Sequence, residues 1–561
     1  MKKALFCLLL PALLAGCSKD SILPDIWSGN TGDPTDAGSA TSQVEGPTTA
    51  EITSDEEDLV ANTNFDLTVS VVFSPSGNAS VSGTQGQTVT INGNQVTIDN
   101  RNAVDKNGKG YKIKYELSGS TSNGFFKVYS NNKQALVLNG VSITNPNGAA
   151  INNQGKKRCF VLVNGSNSLA DGTSYTATPA DEDEKAAFFS EGQLVFSGTG
   201  SLNVTAKGKA GITSDDYLLF LDSPAISVTS TGGHGFRGKD YIRVDGGTLS
   251  ATVSASGKKG MSSDSLVVFN GGVTTLKVSG GVLVEDGEYT GSAGVRADQL
   301  FIMNDGSLNV TNSGQGGKGI SSDGTGYFQG GSVTVKVTGS NYGSSNKQGP
   351  GSHTTTDNDS SKSAKGIKFD GALYFSGGEV SVTASSHEAI ESKSRIEITG
   401  GILYAQSSDD AINSAGVLAI TGGQVCAYST GNDGLDANAN CYIEGGVVYA
   451  VGSGSPEVAI DANTEEGYRL YVNGGVIFAI GGLESGASLA QSCYQASWSK
   501  NTWYSLTADG AGYAFKTPAS GGTTLVVSAA SQPALTGGVS VTGGTQIWNG
   551  LGVLDGSVSG G

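Results

Sequence analysis

A pair of glycines recurs along the second half of this chain, and its spacing restricts the fold more than any other feature. The pairs are Gly246-Gly247, Gly271-Gly272, Gly330-Gly331, Gly377-Gly378, Gly400-Gly401, Gly422-Gly423, Gly445-Gly446 and Gly474-Gly475. In the clearest stretch they lie 23, 22 and 23 residues apart. The 47-residue gap before Gly377 reads as one period plus a polar insertion, roughly Gly339 to Ala364. A short apolar segment precedes each pair (Ile396-Glu397-Ile398, Leu418-Ala419-Ile420) and another follows it (Leu403-Tyr404-Ala405, Val448-Tyr449-Ala450). A third carries one apolar anchor: Ile212, Met261, Val295, Ile320, Ile367, Ile390, Ile412, Leu435 or Ile460. Three strands this short cannot bury a face alone, but coils stacked in register about 4.8 Å apart share one interior. No segment shows a 3.6-residue apolar period. The expected fold is all-β, a parallel β-helix solenoid of roughly 22–25-residue coils.

Composition agrees. Glycine supplies 85 of 561 residues, about 15% where roughly 7% is usual, yet only 12 prolines and no Gly-X-Y period exclude collagen. A net charge of −17 is the wrong overall balance for neutralising phosphates, so no nucleic-acid partner is expected.

The N-terminus reads as an address. Lys2 and Lys3 precede an apolar run, Ala4 to Leu14, too short to span a bilayer. Leu14-Ala15-Gly16-Cys17 resembles a bacterial lipobox, so residues 1–17 are expected to be a lipoprotein signal peptide with Cys17 lipidated. That implies a lipid-anchored protein of the bacterial outer membrane or cell surface. Residues 18–62, with the run Asp55-Glu56-Glu57-Asp58, read as an acidic disordered tether. Cys159, Cys426, Cys441 and Cys493 lack metal-site spacing and are expected to be mostly buried thiols; a Cys426–Cys441 disulfide stays open.

Ser363-Ala364-Lys365-Gly366-Ile367-Lys368-Phe369-Asp370, His387-Glu388-Ala389-Ile390-Glu391-Ser392-Lys393 and Ser408-Asp409-Asp410-Ala411-Ile412-Asn413 look like successive signature coils. With Ala135 to Asn145 as an opening coil, they resemble the bacterial β-helical carbohydrate-binding domains, a group that binds calcium and polygalacturonate and is related in fold to pectate lyases. The resemblance covers residues 63 to 483 and implies a right-handed helix; residues 484–561 are expected to be a C-terminal β segment or cap. Where the family commonly has Glu-Gly-Ile and Asp-Gly-Ile, this chain carries Ala389 and Ala411.

Aligned on the anchor, the coils show two polar columns. Two residues before it stand Lys259, Lys318, Lys365, Glu388, Asp410 and Asp433; one after it stand Ser262, Ser321, Lys368, Glu391, Asn413, Asp436 and Asp461. Carboxylates one strand spacing apart repel, and a calcium between them would sit within its ordinary oxygen-ligand distance. Glu388, Glu391, Asp409, Asp410, Asn413, Asp433 and Asp436 are the candidate calcium ligands, against the reading of solvated turn residues. Lys259, Lys318, Lys365 and Lys368 suit uronate carboxylates, or else pair with Asp264, Asp323 and Asp370. An outward column of Tyr404, Cys426, Tyr449 and Phe478 would stack sugars through Tyr404 and Tyr449, or be covered by residues 484–561, the favoured alternative.

His387-Glu388-Ala389-Ile390-Glu391 lacks the second histidine of HExxH, and Gly314 to Gly319 fits GxGxxG without a strand-to-helix context. His234, His353 and His387 form no triad pattern. The expected function is non-catalytic, calcium-dependent binding of a uronic-acid-rich polysaccharide by a monomer. A calcium-dependent pectate lyase with Lys393 as base and Arg395 nearby is the second reading, and a structural adhesin the third.

Overall fold

The computed structural model describes residues 55–560 except 177, 178, 180, 181, 344–361 and 509. The expected signal peptide with Cys17, residues 18–54 of the tether, and His353 lie outside the described residues. Within them the chain is all-β, with four three-residue 3-10 turns.

Strands one repeat apart pair in parallel, in three ladders. The anchor segments build a 14-stranded sheet in which Ile212, Phe236, Met261, Val295, Ile320, Ile367, Ile390, Ile412 and Leu435 stand in register. The segments before and after the glycine pairs build the other two, joined into one 29-stranded sheet by Leu266–Val278 and Leu300–Asn312, which run through both. Their inward side chains form one continuous core, with stacked aromatic rungs such as Phe328 on Phe375 at 4.7 Å between ring centres.

Glycine is needed at both positions of a pair, for different reasons. At Gly400 and Gly422 a Cβ would lie 2.4 and 2.3 Å from a carbonyl oxygen of the preceding coil. Gly401 and Gly423 have φ of 79° and 80°, which side chains resist. A third glycine row explains Ala389 and Ala411. At Gly211, Gly294, Gly319 and Gly366, just before the anchor, a Cβ would come within 2.2 or 2.3 Å of Cγ1 of Val228, Val310, Val335 or Val382. Along its ladder the row supplying these valines continues from Val382 to Ala405 and Ala427. Where alanine replaces glycine, alanine also replaces valine, and the paired volume is nearly conserved.

The C-terminal part adds a five-stranded antiparallel sheet and the strand Leu525–Ser528, which pairs antiparallel with Val476–Ile480. All four described cysteines are free; Cys159, Cys426 and Cys441 are buried and Cys493 is partly so.

The acidic run of the expected tether is docked rather than solvated. Asp58 is buried, accepts a hydrogen bond from Tyr217 Oη at 2.5 Å and pairs with Arg158 Nε at 2.9 Å. Asp55 and Glu57 reach Arg158 as well, and Glu57 also pairs with Lys133. Arg158 and Lys133, distant in sequence, supply the compensating charge that a reading of the run by itself omits.

Candidate functional site

From the strand Ala210–Ser214 onward the anchor ladder carries one row beside the anchor: Thr213, Arg237, Ser262, Arg296, Ser321, Lys368, Glu391, Asn413 and Asp436 in register. The row therefore runs from cationic to acidic along the stack. Beside it Lys318 and Lys365 stand in register, and Asp433 N donates to Asp410 Oδ1 at 3.1 Å between coils.

The seven expected calcium ligands divide into two environments. Glu388 and Glu391 are buried against cations: Lys365 Nζ is 3.1 Å from Glu388 Oε2 and 2.6 Å from Glu391 Oε2. His387 Nδ1 contacts Glu388 and lies 2.9 Å from Asp409 Oδ2, and Lys393 pairs with Glu391. Burial opposes the charge of Glu388, but Lys365 and His387 overcome it and hold its carboxyl down at about 2. Burial likewise works against the imidazolium, yet Asp409 and Glu388 lift His387 to about 9. These two glutamates already have their counter-charges.

Asp410, Asn413, Asp433 and Asp436 are different. Among the described residues no lysine, arginine or histidine forms an ion pair with any of the three aspartates. Asn413 spans two of them, its Nδ2 donating to Asp410 Oδ2 at 3.2 Å and Asp436 Oδ2 at 2.8 Å. Burial, then the neighbouring acids, pushes Asp410 and Asp436 well above the carboxylate range. Asp433 rises to about 9, chiefly through burial with Asp461 and Asp436 adding, and Asp461 to about 9 through burial, Glu484 and Asp436. Asp461, one row further on, stands in the expected column but outside the expected ligand set. Glu484 was missed altogether, since it lies beyond the last repeat and carries no spacing signal.

A raised folded-state pKa means the folded chain keeps protons that the unfolded chain releases. Without metal, these aspartates should make stability fall as pH rises from about 4 to about 9. His387 adds to the fall above about 6.5, while Glu388 contributes a loss only below about 4.5. Thermal melts in chelator should therefore give a lower Tm at pH 8 than at pH 5, and a Tm that climbs over that interval would contradict the assignment.

The expected sugar contacts are mostly engaged elsewhere. Tyr404 and Tyr449 are buried beneath the C-terminal strands, so they do not stack a glycan. Tyr449 packs on Phe478, Phe515 and Trp548 and donates its hydroxyl to Lys516 O at 3.0 Å. The apolar column is covered by the chain's own end because leaving it in water is costly. Lys365 is buried among carboxylates and Lys368 pairs with Asp370, which corrects their reading as glycan contacts. Asp264 and Asp323 go to Arg237 and Arg296 instead of lysines. Lys259 Nζ donates to Gly257 O at 2.8 Å and Lys318 Nζ to Ser363 O at 3.1 Å, both partly buried. Lys393, the candidate lyase base, is held by Glu391, and Arg395 by Glu397.

A family model described as carbohydrate-binding domain-containing protein matches residues 92–411, more than half of the chain. No curated protein matches it. Among solved structures, a polysaccharide lyase-like protein from C. thermocellum, solved as a gadolinium derivative, is similar at 20% identity over 48% of this chain and 92% of that one. Its TM-score is 0.34, too loose an overlap to argue from.

Proposed function

Because the chain belongs to the carbohydrate-binding domain-containing family, we propose that it binds an acidic polysaccharide without cleaving it, through calcium held at the acidic end of the anchor ladder. The observation that carries this reading is the buried group Asp410, Asp433 and Asp436, which no cation of the described residues pairs with and which keeps its protons in the absence of a metal. Its donors are all oxygens once the Asn413 carbonyl is counted, which suits a hard divalent ion. Calcium there would supply the positive charge that lets these acids ionise, and an open position for uronate carboxylates. Asp461 borders the same site. The ion pair that occupies Lys393 favours binding over elimination.

The same reading takes the all-β architecture as a right-handed parallel β-helix, supported by parallel register between strands one repeat apart. It takes the protein as a monomer tethered through Cys17 to the bacterial outer membrane or cell surface, supported by the lipobox-like sequence. Affinity electrophoresis of the full chain in polygalacturonate gels tests the function: calcium should retard migration and chelator should restore it. Equal mobility under both conditions would refute calcium dependence, and an absorbing unsaturated product would move the protein to the lyases.

A further inference from the structure

The cationic end of the anchor ladder encloses a cleft of about 530 Å³ that the calcium reading does not use. Its walls include Lys209, Arg237, Lys258, Lys259 and Arg296, against only Asp264 and Asp298 among its acids. In a chain of net charge −17 that local excess is notable for its sign. Arg237 pairs with Asp264, and Arg296 with Asp298 and Asp323. The amines fare differently. Lys209 Nζ donates to a main-chain carbonyl, of Glu184, and Lys259 Nζ to that of Gly257. No carboxylate among the described residues pairs with Lys209, Lys258 or Lys259.

Two neutral residues, Thr213 and His234, line the same space. Thr213, in the row beside the anchor, is 1% exposed, and its Oγ1 has no hydrogen-bond partner. A buried hydroxyl without a partner is costly, so the site is incomplete as it stands. His234 Nδ1 accepts from Lys259 N at 3.1 Å, which places the ring proton of the neutral imidazole on Nε2. Burial, with Lys259, Lys258 and Arg237, keeps that ring well below its ordinary pKa and therefore neutral. Burial first, then the positive charge of Arg296 and Lys258, pulls Lys259 down to about 8, although Asp298 acts the other way.

The geometry points to this cleft as a metal-independent site for a sulfate-type oxyanion, the sulfate ester of a glycan. Donors from successive coils, a hydroxyl, an imidazole N–H and several ammonium groups, match the three terminal oxygens of a tetrahedral ester better than a planar carboxylate with two. Among the described residues of the cleft no acidic pair lies free to hold a cation that would bridge a carboxylate instead. The inference rests on the proposed carbohydrate function only for the source of the anion; the cleft itself stands without it.

The test is affinity electrophoresis of the full chain in chelator with dextran sulfate, with neutral dextran and polygalacturonate alongside. Dextran sulfate should retard the protein; dextran should not, and polygalacturonate should do so far less. The variants Lys258→Ala/Lys259→Ala and Thr213→Val should each weaken binding about tenfold or more. Thr213→Val, nearly isosteric, should leave the calcium response of the distant aspartates intact. Sodium sulfate should displace the polymer better than sodium chloride of equal ionic strength, because a diffuse field responds to ionic strength alone. Unchanged affinity in both variants, equal displacement by the two salts, or polygalacturonate binding as tight as dextran sulfate would each overturn the site. Asp410→Asn/Asp433→Asn separates the two readings: it should abolish calcium-dependent polygalacturonate binding and leave dextran sulfate binding in place.

Discussion

Lys365→Met should be the most destabilising single substitution at the site, costing about 3–5 kcal/mol in chemical denaturation. The lysine is buried between Glu388 and Glu391, whose side chains are each 1% exposed. Methionine matches its length but leaves two buried carboxylates short of one positive charge. His387 and Lys393 remain to compensate only in part. Two comparisons isolate the electrostatic cause. Lys368→Met, which breaks the exposed pair with Asp370, should cost no more than about 1 kcal/mol. Adding Glu391→Gln to Lys365→Met should recover much of the loss, since one uncompensated charge is removed with its partner. A Lys365→Met protein within about 1 kcal/mol of wild type would show that these acids do not depend on it.

The second large effect belongs to the aspartates. In Asp410→Asn/Asp433→Asn the carbonyl acceptors survive for the main-chain donors Asp433 N and Val458 N, so local folding is retained. The double variant removes two candidate carboxylate ligands and two buried acids that resist ionisation together. Without metal it should melt at or above the wild-type Tm, and at pH 8 the gain should be largest, because there the wild type suffers most from keeping both acids buried. Calcium should raise the wild-type Tm in a concentration-dependent way and leave the variant unmoved. If calcium shifts both proteins equally, the metal binds elsewhere. If the substitutions lower the metal-free Tm by the 0.5–2 kcal/mol typical of a lost turn cap, the aspartates serve the turns and not an ion.

The polar columns are legible in the amino-acid sequence because side-chain direction in stacked strands depends only on position relative to the anchor. The register of Lys368, Glu391, Asn413 and Asp436 follows from that arithmetic. The repeat itself is legible for the same reason. A tight corner that brings one coil's carbonyl within 2.3 Å of a would-be Cβ admits only glycine, so Gly422 declares its place in the fold by identity alone.

What a side chain meets across coils and across distant segments was decided by the tertiary structure. Glu391 and Asp436 share a column and look equivalent in sequence, yet one has Lys365 and Lys393 beside it, while the other receives a hydrogen bond from Asn413 and pairs with no cation among the described residues. Charge in a low-dielectric site is set by neighbours a few ångströms away in any direction, and a one-dimensional column shows only two of those directions. Tyr449 was lost as a sugar platform because Phe515 and Trp548, far along the chain, cover it. Asp58 was lost as a tether residue because Tyr217 and Arg158 receive it. The sequence by itself determined the all-β class, the glycine corners and the polar rows, which follow from local backbone sterics and a fixed period. Which acids of those rows gain a cation partner, and which aromatics stay open to solvent, only the packing of remote segments could decide.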